Sequence, residues 1–306
     1  MSSRTRILRR IANAGAEVRS LPDKRRTIPR WVAFEAMRAF SPVVAVESEG
    51  LRYLVSTRDR SVGRVVFLSG SYDAELIDLV VRTLEREHGE GFLRGRTVLD
   101  VGANIGTTVL PLLVRHGAGR GIAIEPEPGN VGLLRANVAS NGLQDRVVVR
   151  QLAVSDHDGT ATLELATTNS GDHRVRADGA TSDGAYGEKD RRTIEVPVRT
   201  LDSVLLEEGV DVADVALLWV DTQGHEGQVL AGATTLLATG VPVCLEYWPY
   251  GLRRAGGLDL LHEVIRARYA RVLDLRAEGG PVEVPDLDRL AERYPFERYT
   301  DLLLLP

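Results

Sequence analysis

Residues 97–106 read TVLDVGANIG, an apolar run that ends in an acid and continues into a turn with two glycines. The run predicts a short buried strand, Thr97–Val101, and the pattern at 107–115 predicts a helix after the turn. In a doubly wound α/β sheet, such a turn lies at the carboxyl edge of the strands and at the amino end of a helix, where ligands bind. We therefore predict an α/β fold with a ligand site at residues 100–106.

The alternation of strand and helix patterns continues toward the C-terminus. Further strands are predicted for the apolar runs at 121–124, 147–149, 215–220, 241–245, 271–275 and 302–305. Helical patterns occur between several of them, at 128–140 and around Leu258, Leu261 and Ile265. Strands that alternate with helices pair in parallel through right-handed crossovers, so this pattern predicts a doubly wound sheet.

The segment before this alternation has its own pattern. Two β-rich runs, 43–46 and 53–55, precede a helical pattern at 74–84, in which apolar residues recur on one face. We therefore predict a β-hairpin and helix extension over residues 41–94.

The alternation is interrupted in the middle of the chain. Two runs with the period of a β-strand, 160–165 and 193–198, enclose a polar stretch at 167–192 with four glycines. Loops longer than about 12–15 residues inside a compact domain are often functional. We therefore predict an inserted hairpin that carries a lid over about 160–198, within a ligand-binding domain that spans 95–306.

Composition excludes several classes of protein. The chain has 306 residues, and no apolar run approaches the roughly 18 residues of a membrane span. The single cysteine, Cys244, excludes a disulfide scaffold and a multi-cysteine zinc site. The N-terminus has no apolar stretch behind its arginines and does not read as a secretory signal, so we expect a cytoplasmic protein.

Charge is unevenly distributed. Residues 1–30 have nine Lys or Arg and two acids, a net charge of +7, whereas the rest of the chain has −12 of the total of −5. We expect residues 1–40 to form a basic leader, either a solvated extension or a docking arm for a partner, an acidic substrate or a membrane surface. The acidic body argues against binding of nucleic acid. The sequence leaves the oligomeric state open, including a homo-oligomer.

The glycine turn discriminates between ligands. A dinucleotide fingerprint needs Gly-x-Gly-x-x-Gly, but Asn104 and Thr107 occupy the second and third glycine positions counted from Gly102. The next predicted strand ends in Glu125, a carboxylate that can accept both hydroxyls of a ribose. A nucleoside with an amino-acid end and no diphosphate suits Asp100, Asn104 and free backbone N–H groups in the turn. The pattern therefore favours S-adenosylmethionine over NAD.

Several motifs occur in a fixed order along the chain: GSYD at 70–73, VLDVGANIG at 98–106, EP at 125–126, LAVSD at 152–156 and VDTQGHE at 220–226. Taken together, they resemble the FkbM family of S-adenosylmethionine-dependent methyltransferases. Trp219 and Thr222 depart from the residues that are common in the family. The resemblance covers about residues 60–305 and implies a Rossmann-like class I methyltransferase sheet of seven strands, the last one antiparallel.

The resemblance also implies which residues contact the cofactor. These are Tyr72, Asp100, Gly102, Ala103, Asn104, Gly106, Glu125, Pro126, Leu152, Ala153, Ser155, Asp221 and Thr222. Among them, the glycine turn is expected at the methionine end and Glu125 at the ribose. Leu152 and Ala153 are expected beside the adenine, and Asp221 and Thr222 beside the methyl group. No metal ligands are predicted, although a divalent cation at this edge stays open.

Methyl transfer to an alcohol is an in-line displacement in which the acceptor loses a proton, so a general base is expected. The candidates are His173 in the predicted lid, Asp221 after the fourth strand, and His225 close to it. Glu246, at the end of the 241–245 strand, is expected at the same edge of the sheet. The alternative is that His173 lies in an ordinary turn that stabilises the loop and has no catalytic role.

The resemblance implies methylation of a hydroxyl on a small-molecule acceptor, such as a sugar or a specialised metabolite. Three alternatives stay open. The first is methylation of nitrogen or a carboxylate on a small molecule or peptide. The second is an NAD-dependent oxidoreductase, and the third is a non-catalytic cofactor-binding module. The broken glycine pattern disfavours the oxidoreductase.

Overall fold

The computed structural model describes residues 24–176, 191–296 and 298–306. The strands are β1 Val43–Ser48, β2 Leu51–Ser56, β3 Thr97–Val101, β4 Arg120–Ile124, β5 Val147–Arg150, β6 Ala153–Val154, β7 Gly159–Leu165, β8 Arg174–Val175, β9 Arg192–Arg199, β10 Val215–Val220, β11 Val243–Tyr247, β12 Arg271–Asp274, β13 Val282–Glu283 and β14 Thr300–Leu305. The helices are α1 Lys24–Met37, α2 Val62–Ser69, α3 Ala74–His88, α4 Val109–Val114, α5 Pro128–Ser140, α6 Leu201–Glu207, α7 Glu226–Ala231, α8 Thr234–Leu237, α9 Pro249–Arg254, α10 Leu258–Arg268 and α11 Leu287–Arg293. None of these helices has the length and apolar character needed to cross a bilayer.

The main sheet has the strand order β13-β12-β14-β11-β10-β3-β4-β5. The five strands from β11 to β5 are parallel, and β14 runs antiparallel between β11 and β12. The prediction of a doubly wound α/β sheet with an antiparallel last strand is confirmed. The sheet has eight strands rather than the predicted seven, because β13 folds back on β12 at the edge. Both residues of β13 are exposed and give no apolar pattern that would mark a strand.

Both faces of this sheet are buried. In β3, Val98 packs into one apolar cluster and the next residue, Leu99, packs into a second cluster on the other face. In β10, Leu217 and Leu218 divide between the same two clusters. Strands that are covered on both sides need apolar residues at every position, which explains the continuous apolar runs in the sequence.

The N-terminal extension packs against the main domain. β1 and β2 form the predicted hairpin, with Val43 opposite Ser56 and Ser48 opposite Leu51. In α1, Phe34 is completely buried and its ring centroid lies 5.1 Å from that of Phe67. The chain is therefore part of the folded body from α1 onward, and residues 1–23 of the predicted leader lie outside the described residues.

Asn137 of α5 connects the hairpin to the ligand-binding turn. Its Oδ1 accepts a hydrogen bond from Leu54 N at 2.6 Å, and its Nδ2 donates to Ile105 O at 2.9 Å. Asn137 is fully buried, so both bonds are shielded from water. Asn137 thus links the extension to the glycine turn through hydrogen bonds to both.

The insertion forms a second, four-stranded sheet in the order β6-β9-β7-β8. β7 and β9 pair antiparallel from Gly159 opposite Val198 to Leu165 opposite Arg192, as the two alternating runs predict. Alternate residues of both strands turn inward, which explains the period of two. The middle of the predicted lid, 177–190, lies outside the described residues.

Candidate active site

The carboxyl ends of β3, β4, β10 and β11 surround a cavity of about 280 Å³. A doubly wound sheet binds ligands at this edge. Most of the predicted site residues line the cavity: Tyr72, Asp100, Gly102, Asn104, Glu125, Pro126, Leu152, Ala153, His173, Asp221, Thr222 and His225. The described structure does not place Ala103, Gly106 or Ser155 in that lining. The fold therefore brings residues from six separate parts of the chain into one cavity.

The glycine turn packs tightly against the loop after β10. Gly102 has a φ of +88°, and a Cβ at this position would lie 1.8 Å from the carbonyl oxygen of Asp221. Only glycine combines this φ with this approach. The backbone N–H groups of Gly102 and Ala103 donate to Ile124 O at 2.9 and 3.0 Å. The prediction that the backbone donors of the turn are free is therefore wrong for these two residues, because β4 uses them.

Asn104, which lines the cavity, has one acceptor without a hydrogen-bond partner among the described residues. Its Nδ2 donates to Ser170 O at 2.9 Å, and the Nδ2 of Asn130 donates to the same oxygen at 3.0 Å. The Oδ1 of Asn104 is buried and has no hydrogen-bond partner among the described residues. An unpaired buried acceptor costs about 1–3 kcal/mol, so a ligand with an N–H donor would be favoured here.

Glu125 is held at the end of β4 by backbone donors. Its Oε2 accepts from Asn104 N and its Oε1 accepts from Glu127 N, both at 2.9 Å. The side chain is 4% exposed, and this burial raises the pKa of Glu125 to about 7. Oε1 also accepts from Asn130 Nδ2 at 3.4 Å, so the second lone pair of Oε2 is the one left for a hydroxyl group of a ligand.

Asp100 has a structural contact of its own. Its Oδ2 accepts a hydrogen bond at 3.0 Å from the N–H of Val109, the first residue of α4. Burial raises the pKa of Asp100 to about 7, although the bond from Val109 acts in the opposite direction. Asp100 therefore stabilises the beginning of α4 and lines the cavity at the same time.

The other end of the cavity contains a pair of carboxylates. Gln223, at a φ of +57°, donates from Nε2 to Asp221 Oδ1 at 2.7 Å and to Glu246 Oε2 at 2.8 Å. Burial raises the pKa of Asp221 to about 7, and burial together with the charge of Asp221 raises the pKa of Glu246 well above its usual value. Neither carboxylate forms a salt bridge with a described residue. Such a pair holds a proton near neutral pH and can accept or release one.

Glu226 lies close to this pair but has a different role. Oxygen atoms of Asp221, Glu226 and Glu246 lie within 4.8 Å of one another, a spacing that would suit a cation. However, the Oε1 of Glu226 accepts from Thr222 N and Oγ1, and both its oxygens accept from Gly224 N. Glu226 is fully buried and stabilises the turn before α7. We therefore assign no metal ligand here.

His173 lines the cavity from the insertion. Its Nδ1 accepts a hydrogen bond at 3.0 Å from the N–H of Ala166. The neutral ring consequently has its proton on Nε2, and burial lowers the pKa of His173 below its usual value. Next to His173 in the sequence, Asp172 pairs with both Arg174 and Arg191, and these ion pairs hold this part of the insertion in place.

His225 lies on a different side of the cavity. Its Nε2 lies 2.9 Å from Ser155 Oγ, which in turn lies 3.1 Å from Asp156 Oδ1. His225 is 6% exposed, and burial lowers its pKa to about 4. The ring is therefore neutral at physiological pH, and its buried Nδ1 has no partner among the described residues.

Sequence reasoning missed several residues of the cavity, among them Gln223, Arg276, Tyr299 and Asp301. Arg276 donates from Nε to Asp301 and lies 3.2 Å from Asp73 through NH2. Asp301 lies directly opposite Glu246 in the register of β14 and β11. Asp301, at the start of the apolar run 302–305, was the signal available in the sequence. A charged residue in a buried strand requires a partner, so its presence there indicates a polar site.

Comparisons with known proteins match the part of the chain that forms this cavity. Residues 100–247 match the model of the "Methyltransferase FkbM domain". The chain is 33% identical over 167 residues to the 31-O-demethyl-FK506 methyltransferase FkbM of Streptomyces tacrolimicus. This match covers 47% of this chain and 62% of the relative. It is 32% identical over 126 residues to a ribosomal protein L11 methyltransferase of Sorangium cellulosum, covering 38% of this chain and 37% of the relative.

A third relative is matched over more of the chain. The hexuronic acid methyltransferase AglP of Haloferax volcanii is 25% identical over 209 residues, which is 68% of this chain and 74% of the relative. The chain spans less than two thirds of the length of the other two relatives. The matched part of the chain includes the glycine turn, Glu125 and the Asp221–Glu246 pair, and it is similar to the methyltransferase domain of the FkbM family.

Proposed function

We propose that the protein uses S-adenosylmethionine to methylate a hydroxyl group on a small molecule. One observation carries this proposal: the glycine turn packs at Gly102 against the backbone of Asp221, the residue whose side chain belongs to the carboxylate pair. A ligand held by the turn therefore ends beside a pair of groups that can take a proton. Two matched relatives are named for the small molecules 31-O-demethyl-FK506 and hexuronic acid, which supports this class of acceptor.

The residues of the cavity fit the proposed cofactor. Asn104 Oδ1 would accept a hydrogen bond from the amino group of the methionine part, which supplies the partner that this buried oxygen lacks. Glu125 would accept a ribose hydroxyl with the lone pair that remains on Oε2. Leu152 and Ala153 would border the adenine as apolar wall residues. The acidic end of the cavity suits the net positive charge of the cofactor.

When bound, S-adenosylmethionine supplies a methyl group on a sulfonium sulfur, which leaves with the electron pair of the broken S–C bond. On the protein side, the task is to hold the acceptor oxygen in line and to receive its proton. We assign the proton to Asp221. As the new O–C bond forms, the O–H proton passes to the Asp221 carboxylate, while the Gln223 amide donates to both Asp221 and Glu246 and holds them in place.

The two histidines suit other tasks. His173 has its Nδ1 occupied by Ala166, so it faces the cavity as an Nε2–H donor that can orient a ligand oxygen. His225 has a pKa of about 4, far below the value near 7 that serves a general base best. We therefore propose positioning roles for His173 and His225 and the base role for Asp221.

Calorimetric titration with S-adenosylhomocysteine tests the cofactor, with NAD as the control ligand. We expect binding of S-adenosylhomocysteine in the micromolar range and none of NAD. Transfer of an isotope-labelled methyl group to a panel of hydroxylated small molecules then tests the reaction. A folded protein that binds neither ligand would contradict the proposal.

Methylation of nitrogen or of a carboxylate, on a small molecule or a peptide, is the second candidate. The acid pair favours it to some extent, because two carboxylates can hold a protonated amine, and one relative is named for a ribosomal protein. Position-specific mass spectrometry of the methylated product distinguishes an ether from an amine. A protein that binds cofactor and shows no turnover on any acceptor would instead support a non-catalytic module.

A further inference from the structure

A second cavity adjoins the first one. It has a volume of about 540 Å³ and shares Arg276 and Tyr299 with the wall of the methyl-transfer cavity. Its other polar and aromatic lining residues are Glu278, Arg293, Tyr294 and Arg298. We call this set of six residues the arginine groove. The two cavities therefore meet at Arg276 and Tyr299.

The arginine groove is basic. Three guanidinium groups line it against one described carboxylate, that of Glu278. Arg276 is paired with Asp73 and Asp301 and so contributes little free charge. Arg293 and Arg298 are exposed and form no salt bridge with a described carboxylate. Two cationic donors are therefore available at the outer part of the groove.

Two of the three guanidinium groups in the groove, those of Arg276 and Arg298, stack on aromatic rings. Arg298 lies 5.7 Å from the centroid of the Tyr294 ring, and Arg276 lies 5.3 Å from that of Tyr299. Tyr294 is itself fixed, because it is 6% exposed and its hydroxyl donates to Asp274 Oδ2 at 2.7 Å. A guanidinium that is stacked on a fixed ring loses less freedom when it binds an oxyanion. Tyr299 is 44% exposed and offers a flat apolar face beside the groove.

The inner cavity has the opposite charge. Its lining includes four carboxylates at this end, those of Asp73, Asp221, Glu246 and Asp301. Among the described lining residues, Arg276 has the one guanidinium group. An acceptor with an anionic group cannot point that group inward without strong repulsion. The same acceptor can place the group in the arginine groove while a hydroxyl reaches Asp221.

We propose that the methyl acceptor bears an oxyanion, a phosphate or a carboxylate, that binds to Arg293 and Arg298 in the arginine groove. Guanidinium groups bind both anions through paired N–H···O bonds. This proposal rests on the proposed function, because it places the acceptor hydroxyl at Asp221. It adds the chemical class of the acceptor, an anionic hydroxylated compound.

The test uses the full-length protein saturated with S-adenosylhomocysteine and three sugars with the same ring: methyl glucoside, glucuronate and glucose 1-phosphate. Binding is measured by calorimetry and by ligand-observed NMR. We expect the anionic sugars to bind about tenfold more tightly than the neutral one, as suits paired charge-assisted hydrogen bonds. The comparison of glucuronate with glucose 1-phosphate shows whether the groove binds a carboxylate or a phosphate more tightly.

The variant Arg293→Gln/Arg298→Gln should abolish this difference and leave the affinity for S-adenosylhomocysteine unchanged. Arg289→Gln is the matched control, because this residue is on α11 as well, is 85% exposed and pairs with Asp286. Equal binding of all three sugars, or no binding of either anion, would overturn the proposal. So would an equal loss in the Arg289→Gln control. Intact binding of S-adenosylhomocysteine in those cases leaves the proposed function standing, whereas its loss in the unmodified protein contradicts the proposed function itself.

Discussion

Asp221 and Glu246 accept hydrogen bonds from the same donor, the Nε2 amide of Gln223, at 2.7 and 2.8 Å. The two carboxylates come from the ends of neighbouring parallel strands, β10 and β11. Because the two carboxylates lie within 4.8 Å of each other and repel when both are charged, their protonation states are linked, and one proton on the pair is favoured over two negative charges. This relationship suits the acidic end of the cavity to proton transfer at neutral pH, and it leads to the first two predictions.

Asp221→Asn should lower turnover by about 10²–10⁴-fold, the usual contribution of a general base. The affinity for S-adenosylhomocysteine, measured by calorimetry, should stay close to that of the unmodified protein. His173→Ala serves as the comparison and should cost less than Asp221→Asn, because its Nδ1 is occupied by Ala166 N. A larger loss in His173→Ala would transfer the base role to that residue.

The pH–rate profile should report the carboxylate pair. Asp221 acts as a base only when it is ionised, so kcat/KM should rise with pH through about 7, the pKa of Asp221. The hydrogen bond from Gln223 lowers this pKa, so Gln223→Leu should move the midpoint upward. Glu246→Gln removes a nearby negative charge and should move it downward. A midpoint that is identical in all three proteins would exclude the pair as the titrating group.

Stability should fall as pH rises from about 4 to about 7. The folded-state pKa values of Asp100, Glu125, Asp221 and Asp301 are about 7, above the unfolded values, so the folded state binds more protons in this window. Asp221→Asn should therefore stabilise the ligand-free protein at pH 8, on the order of 2 kcal/mol, and much less at pH 4. Urea unfolding at the two pH values measures this difference. An equal effect at both pH values would show that burial of this charge is not the cause.

Glu125→Ala should weaken binding of S-adenosylhomocysteine by about 1.5–3 kcal/mol, the range for hydrogen bonds to a charged group. Calorimetry gives the affinity directly. Part of the loss could come from the turn, because Glu125 also accepts from Asn104 N. Glu125→Gln keeps an acceptor for that bond, so an intermediate loss in this variant would separate the two contributions. An unchanged dissociation constant in both variants would remove Glu125 from the binding site.

Gly102→Ala should destabilise the protein by several kcal/mol, measured by urea unfolding. The new Cβ would meet Asp221 O at 1.8 Å, and the φ of +88° adds strain of about 1–2 kcal/mol. Gly142→Ala is the matched control, since Gly142 has a φ of +67° and nothing lies within 4 Å of its Cβ position. The control isolates the cost of the backbone conformation. Equal losses in the two variants would mean that the turn relaxes away from Asp221.

Much of the fold was predictable because local patterns decide it. The continuous apolar runs at β3 and β10 reflect burial on both faces, and the glycine turn after β3 marks the ligand edge. The alternating runs of the insertion likewise predicted the pairing of β7 with β9. The edge strand β13 was missed because two exposed residues leave no pattern to recognise.

The sequence was enough to predict the α/β class, the strand ends that hold Asp100, Glu125 and Asp221, and the resemblance to the FkbM family, because these depend on short stretches whose spacing along the chain is their signal. It took the tertiary structure to show that Gln223 joins Asp221 to Glu246 and that His173 accepts from Ala166 through Nδ1. The tertiary structure also decided that Arg276 and Asp301 reach the same cavity. These contacts depend on strand register, side-chain direction and crossover connections, and residues that are distant in sequence acquire them only when the sheet assembles.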